Sequence, residues 1–232
     1  MGDKDVKKKE EELTLSQRFN VFVQKNRKPL FIGFIALLVM LGAFIVAVTV
    51  MEKSQEKAIS EVDSLNRKYL ELKTYITSED PEDISKQAEL VLLLIELGEF
   101  QKKHNGFAAA RAYCISAEIF TEQKNWIQAE DAWLSAEKNA GKSHLAPIAI
   151  FNAAVAAEEQ GNIQDAIDHY SKALAYGNNF VSVARAQFSI GRLEEGRNNT
   201  DAALEAYQSL LAKWPDQIWS NLAQNRILVL SD

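Results

Sequence analysis

The sequence predicts an all-α protein in which an N-terminal transmembrane helix precedes a stack of helical hairpins. Three observations support this prediction. Residues Leu30–Met51 form an uncharged apolar run, and a unit of 37 residues recurs from Ala110 onwards. The chain has only 10 glycines and 4 prolines among 232 residues. These two residue types are the least favourable in a helix interior, so their scarcity favours helix throughout.

The apolar run predicts a membrane anchor. About twenty apolar residues, each rising roughly 1.5 Å, span a hydrocarbon core of about 30 Å. No acidic residue lies between Leu13 and Lys28, and this basic flank is predicted to stay in the cytoplasm. The basic residues before the run are Arg18, Lys25, Arg27 and Lys28. We therefore expect a bacterial inner-membrane protein with residues 1–29 in the cytoplasm, a span at 30–51 and the C-terminal domain in the periplasm. A cleaved signal peptide is the alternative, although its apolar core would be shorter.

The charge of the chain limits its partners. The net charge is −6, and the first 28 residues carry eight basic and five acidic side chains, so the part from residue 52 onwards is at −9. An acidic domain repels phosphates, and no nucleic-acid partner is expected. The single cysteine, Cys114, excludes an intramolecular disulfide.

The cytoplasmic tail contains a short amphipathic pattern. Leu15, Phe19, Phe22 and Val23 fall on one helical face. This pattern is typical of a helix lying on the membrane surface, although it also fits a simple extension of the anchor helix. The charged stretch Met1–Glu12 is predicted to be disordered.

A membrane-proximal helix and linker are predicted at residues 52–83. Its apolar residues have heptad spacing over two heptads, namely Val62, Leu65, Tyr69, Leu72 and Ile76. Two heptads are short for a coiled coil. The pattern therefore favours a helix packed against its own domain, with a homodimer seam as the alternative. The segment Ser78–Asp83, with Pro81, is expected to end this helix and start the next at Ile84–Lys103.

The repeat is the most specific signal in the sequence. Its clearest copies are residues 110–143, 147–180 and 184–217. The eighth positions are Ala117, Ala154 and Gly191, the twentieth are Ala129, Ala166 and Ala203, and the twenty-fourth are Trp133, Tyr170 and Tyr207. Small residues at the first two positions and an aromatic at the third are typical of tetratricopeptide repeats. Small side chains let two antiparallel helices approach closely. We predict a tetratricopeptide-like solenoid over residues 84–232, with an unrelated hairpin array of the same rhythm as the alternative.

The overall arrangement resembles one known family. The stretch Asn26-Arg27-Lys28 before the anchor and the segment GFAAARAYCISAEIFTEQKNWIQAEDAW resemble the YfgM-like ancillary subunit of the bacterial Sec translocon. This resemblance implies an inner-membrane, periplasm-facing protein that links the translocon with periplasmic chaperones. The last copy, AYQSLLAKWPDQIWSNLAQNRI, also resembles repeats of envelope-assembly proteins such as the Tol-Pal coordinator.

No enzyme is predicted. The three histidines, His104, His144 and His169, lack the spacing of metal ligands. The sequence contains neither a glycine-rich phosphate loop nor a nucleophile elbow. We therefore predict no catalytic, metal-binding or cofactor-binding residues and no cofactor. An enzyme with an unrecognised site is the alternative from another functional class.

A protein-binding groove is predicted instead. In a tetratricopeptide stack the first helix of each hairpin lines a concave surface. The predicted partner-binding residues on these helices are Arg111, Phe151, Val155, Arg185, Phe188 and Arg192. Aromatic and arginine side chains are favoured at interfaces. The alternative for Phe151 and Phe188 is a place in the core. The predicted function is a scaffold for translocon, chaperone or envelope-assembly proteins, or else a structural component of another envelope machine.

Overall fold

A computed structural model describes residues 15–76 and 84–231 of the chain. This part consists of α-helices and one 3-10 turn at Gly177–Asn179, without any strand. The helices are α1 Leu15–Lys25, α2 Arg27–Ile76, α3 Ile84–Lys103, α4 Gly106–Glu122, α5 Trp126–Ala140, α6 Leu145–Glu159, α7 Ile163–Leu174, α8 Val183–Gly196, α9 Thr200–Lys213 and α10 Ile218–Ser231. The chain divides after Glu56 into two compact units.

Helix α2 contains the apolar run of the first unit. Its length and composition make Arg27–Tyr75 the one candidate membrane-spanning helix among residues 15–76 and 84–231, and none of its most apolar window is buried. Phe31 and Val46, for example, are 65% and 62% exposed. The core helix of a soluble protein would bury such residues. The predicted anchor and the predicted membrane-proximal helix are therefore parts of one uninterrupted helix, α2.

The junction between α1 and α2 consists of Asn26 alone. The backbone N–H of Asn26 donates to the carbonyl of Phe22 at 3.0 Å, and the N–H of Leu30 donates to the carbonyl of Asn26 at 2.9 Å. Helical hydrogen bonding thus continues through the junction. This favours the extension of the anchor helix over a separate surface helix. The stretch Met1–Glu12 lies outside the described residues.

The second unit begins with a core formed by α2, α3 and α4. The first four residues of the heptad pattern, Val62, Leu65, Tyr69 and Leu72, are at most 7% exposed. They pack with Leu93 and Leu97 of α3 and with Ile115 and Ile119 of α4. The helix is therefore packed against its own domain, and these four side chains do not form a free dimer seam. Helix α3 has the predicted bounds, whereas the predicted break at Ser78–Asp83 lies outside the described residues.

Three hairpins follow, α4 with α5, α6 with α7 and α8 with α9. Their turns carry a left-handed residue at the same repeat position: Lys124 at φ 55°, Gly161 at φ 78° and Asn198 at φ 60°. The small residues at the eighth and twentieth positions are buried in all three hairpins, and so are the three aromatic residues. The backbone conformation of the turns therefore repeats with the same period as the side chains.

Gly191 shows why small residues are needed at the eighth position. A Cβ atom added there would lie 2.5 Å from Cε1 of Tyr207, the aromatic residue of the same hairpin. Helices α8 and α9 are therefore in close contact at this point. Tyr207 is fully buried at 0% exposure and fills the space that the missing side chain leaves.

The first helices of the hairpins lie side by side. Each helix from α3 onwards contacts the next, and in addition α4 contacts α6 and α8 contacts α10. The last helix, α10, covers α8 and α9 with the buried Ala223 and the partly buried Ile227. The opposite face of α10 exposes Leu228 at 63%. Side chains connect α6 with α8, through the ion pair of Glu158 with Arg192 and the contact of Arg185 with Phe151.

Candidate functional site

The groove surface is defined here by Arg185, Phe188 and Arg192 on α8. Arg185 and Arg192 are exposed, whereas Phe188 is half-buried. Arg185 and Phe188 both contact Trp219, and Phe188 and Arg192 line one pocket, so the structure brings these three of the six predicted partner-binding residues together. Of the other three, Val155 on α6 is half-buried and lines a different cavity, while Arg111 and Phe151 serve contacts within the chain.

Phe151 belongs to the core. Only 6% of it is exposed. Its ring meets that of Tyr170 edge to face at a centroid distance of 5.3 Å and that of Phe180 at 5.6 Å. This is the alternative that the sequence left open for Phe151, and it leaves little surface for a partner.

Arg185 lies over aromatic rings of two other helices. Its Cζ atom is 5.2 Å from the ring centroid of Phe151 and 5.7 Å from that of Trp219. An arginine over an aromatic face is attracted by the ring quadrupole. The exposed guanidinium is therefore held in place by the core beneath it.

Phe188 and Arg192 continue the same surface towards the end of α8. The ring of Phe188 lies 5.6 Å from Tyr207 and 5.4 Å from Trp219. Arg192 Nη2 forms an ion pair with Glu158 Oε1 of α6 at 2.6 Å. Reversing the charge of Arg192 would set two carboxylates against each other, so Arg185 is the cleaner probe of partner binding.

A polar contact that the sequence analysis missed recurs in every hairpin. Trp133 Nε1–H donates to Thr121 Oγ1 at 3.3 Å, Tyr170 O–H donates to Glu158 Oε2 at 3.2 Å, and Tyr207 O–H donates to Glu195 Oε2 at 3.0 Å. The partners are 12 residues apart each time. The signal was present in the sequence, because each copy pairs an aromatic donor at the twenty-fourth position with an acceptor at the twelfth.

Arginines of the chain complete two of these contacts. Glu158 is paired with Arg192, and Glu195 accepts a bond from Arg226 Nε at 3.0 Å and a second from Arg226 Nη2. The hydrogen bonds from Arg226 hold the pKa of Glu195 below its ordinary value. Burial, together with the adjacent carboxylate, raises the pKa of Tyr207. The tyrosine is therefore a neutral donor and the glutamate an ionised acceptor at neutral pH.

The first hairpin contains two further groups of interest. Arg111 Nη1 forms an ion pair with Asp63 Oδ1 at 2.5 Å, which joins α4 to α2. Burial raises the pKa of the Cys114 thiol to about 12, and the carboxylate of Glu118 adds to this effect. A thiol of this kind stays protonated at neutral pH and is a poor nucleophile.

Residues 15–76 and 84–231 contain no group of three or more His, Cys, Asp and Glu side chains that could hold a metal ion. His169 lies with Nε2 3.1 Å from Glu130 Oε1 of α5. This contact joins two neighbouring hairpins.

Comparison with known proteins identifies the repeat. Residues 151–218 match the family model for the tetratricopeptide repeat. This range runs from α6 to the start of α10 and contains the second and third predicted copies. The two C-terminal hairpins therefore match the tetratricopeptide repeat. The first copy precedes the matched range, and its hairpin α4–α5 has the same turn geometry and the same buried positions as the other two.

Two similar proteins also carry this repeat. The chain is 28% identical over 224 residues to a curated "TPR repeat-containing protein" of Treponema pallidum (strain Nichols), covering 92% of this chain and 93% of the relative. Among solved structures it is similar to the Arabidopsis OM64 TPR domain, with a TM-score of 0.44 and 19% identity over 53% of this chain and 97% of that one. Tetratricopeptide arrays present extended binding surfaces, and these repeats indicate a protein-interaction scaffold.

Proposed function

We propose that the chain is a membrane-anchored tetratricopeptide scaffold that binds protein partners on the extracytoplasmic side of the bacterial inner membrane. Residues 1–29 lie in the cytoplasm and residues 30–51 span the membrane. Residues 52–83 connect the span to the tetratricopeptide domain at 84–232. The observation that carries this proposal is the groove surface, where Arg185, Phe188 and Arg192 are accessible on α8, a first helix of an array of this type.

Two features support the anchor and its orientation. The apolar window of α2 is unburied, which is expected of a helix whose side chains meet lipid. Arg27 and Lys28 stand at its N-terminal end, and the Lys and Arg bias of the flanks sets orientation. The proposed partners are translocon subunits and their chaperones, which the YfgM-like resemblance favours, or envelope-assembly proteins, which the last copy favours.

The orientation can be tested with reporters fused after Asp232. Alkaline phosphatase at this end should be active in bacteria, because the enzyme matures only outside the cytoplasm. β-Galactosidase at the same end should be inactive. Deleting residues 1–51 should reverse both results, which provides the matched control. An active β-galactosidase fusion of the full chain would contradict the proposed topology.

The groove surface can be tested by reversing one exposed charge. We expect Arg185→Glu in the full chain to lower the recovery of co-purifying translocon and envelope proteins several-fold at low salt. The loss should shrink at high salt, because screening weakens charge complementarity. Lys142→Glu changes an exposed residue outside the groove surface by the same charge and is the control. Recovery would be measured by quantitative mass spectrometry after purification in mild detergent.

The melting temperature of both variants should stay close to that of the wild type. The contact of Arg185 with its two rings contributes only about 0.5–1 kcal/mol at an exposed site. If Arg185→Glu keeps every partner at wild-type yield while Lys142→Glu does the same, the groove surface is not where partners bind.

A further inference from the structure

A cavity of about 240 Å³ opens beside the first repeat, between α2, α4, α5 and α6. Its lining combines acidic and aromatic side chains, namely Glu118, Glu122, Trp126 and Trp133. Glu118 and Glu122 are four residues apart and therefore share one helix face. Lys73 of α2 also lines the cavity, so two carboxylates face one ammonium group.

In the two following repeats, an arginine of the chain occupies the position next to the acceptor at the twelfth position. In them the carboxylate at the twelfth position is paired with an arginine of the chain itself, Glu158 with Arg192 and Glu195 with Arg226. One repeat of 37 residues earlier, the counterparts of Glu158 and Arg192 are Thr121 and Val155. Both line the cavity. Valine is short and uncharged, so the space that an arginine takes in the next repeat stays open here.

Among the described residues, the carboxylates of this cavity meet a tyrosine rather than a cation, since Glu118 lies beside the hydroxyl of the buried Tyr69. Over residues 15–76 and 84–231, neither Glu118 nor Glu122 forms an ion pair. The nearest cation of the lining, Lys73, has its Nζ atom 5.6 Å from the ring centroid of Tyr69. The lining therefore has an excess of one negative charge beside two indole rings.

We propose that this cavity binds an arginine side chain of a protein partner, an inference that rests on the proposed scaffold function and specifies its ligand. A guanidinium group is planar, stacks on indole rings and donates several hydrogen bonds to carboxylates. Glu118 and Glu122 supply the acceptors, and the half-buried Trp126 supplies the ring, while the buried Trp133 lines the cavity. One bound guanidinium balances the one excess negative charge.

The test uses the full chain in detergent micelles with 5-fluorotryptophan at its four tryptophans. The probe is N-acetyl-arginine amide, and the control ligand is N-acetyl-citrulline amide, which has nearly the same shape without the charge. We expect saturable shifts of the fluorine signals of Trp126 and Trp133, while those of Trp214 and Trp219 stay unchanged. Citrulline should bind about tenfold more weakly, because it lacks the cation–π and ionic contacts.

Three variants sharpen this test. Glu118→Gln with Glu122→Gln should weaken binding of the arginine probe at least about tenfold. Glu205→Gln, an exposed glutamate on α9, should change nothing. Val155→Arg should supply the missing arginine from the chain, which closes the cavity to the probe and raises the melting temperature. If the Val155→Arg variant fails to fold, the binding of the arginine probe by the Glu118→Gln, Glu122→Gln variant decides the test.

Several results would overturn the proposal: no saturable shift, equal binding of citrulline, or full binding by the glutamine pair. These results are separable from failure of the scaffold function. If the arginine probe does not bind but Arg185→Glu still lowers partner recovery, the groove surface is functional and this cavity is not part of it. If both experiments fail, the scaffold proposal itself fails.

Discussion

Phe151→Ala is expected to destabilise the protein by about 3–5 kcal/mol, the usual cost of truncating a buried large aromatic residue. Phe151 is 6% exposed, and its ring packs against Tyr170 and Phe180, which connect α6 with α7 and with the loop that precedes α8. Alanine would leave a cavity between two neighbouring repeats. The measurement is urea denaturation of the full chain in micelles, followed by circular dichroism.

Ile148→Ala provides the matched control, because Ile148 lies on the same helix and is 41% exposed. Its truncation should change the free energy of unfolding by no more than about 0.5 kcal/mol, as for most surface substitutions. If Phe151→Ala keeps wild-type stability and instead abolishes partner recovery, Phe151 is a binding residue and its place in the core is wrong.

Gly191→Ala should lower the free energy of unfolding by about 1–3 kcal/mol, the range for overpacked cores. The added Cβ would lie 2.5 Å from Tyr207 Cε1. Tyr207 cannot easily move aside, since it is fully buried and bonded to Glu195. Gly98→Ala is the control within a helix, because a Cβ at Gly98 meets nothing within 4 Å. That control should gain up to about 1 kcal/mol from helix propensity alone.

A double-mutant cycle identifies the cause. In a Tyr207→Leu background the ring is absent, so Gly191→Ala should become neutral or stabilising, by up to about 1 kcal/mol. The two substitutions would then be strongly non-additive. Additive effects would mean that the contact between α8 and α9 is not what requires glycine at this position.

Local spacing explains why much of this fold could be predicted. The eighth, twentieth and twenty-fourth positions of each hairpin all proved to be buried, because they meet within one hairpin and their geometry depends on a short stretch of chain. Helix α3 was predicted with its correct bounds, Ile84–Lys103. Burial of Val62 and Tyr69 followed from heptad spacing alone.

The groove residues depend on contacts between repeats, which local spacing does not describe. Arg192 and Glu158 are 34 residues apart, and Arg226 and Glu195 are 31 apart. Such pairs depend on how far one hairpin is shifted and rotated against the next. The arrangement of neighbouring hairpins also explains why Phe151 is buried in the core whereas Phe188, at the same repeat position, is half-buried. Single-repeat reasoning assigned both the same role.

The order of helix contacts has a consequence for how this domain is made. Helices α3 to α10 pack chiefly against their immediate neighbours in sequence. A domain with such local contacts has a low contact order and loses little loop-closure entropy as each contact forms. A chain that is made N-terminus first can therefore close one hairpin after another, while later residues are still being synthesised. The unfolded segment is then about one repeat long at any time, which limits the apolar surface open to aggregation or proteolysis.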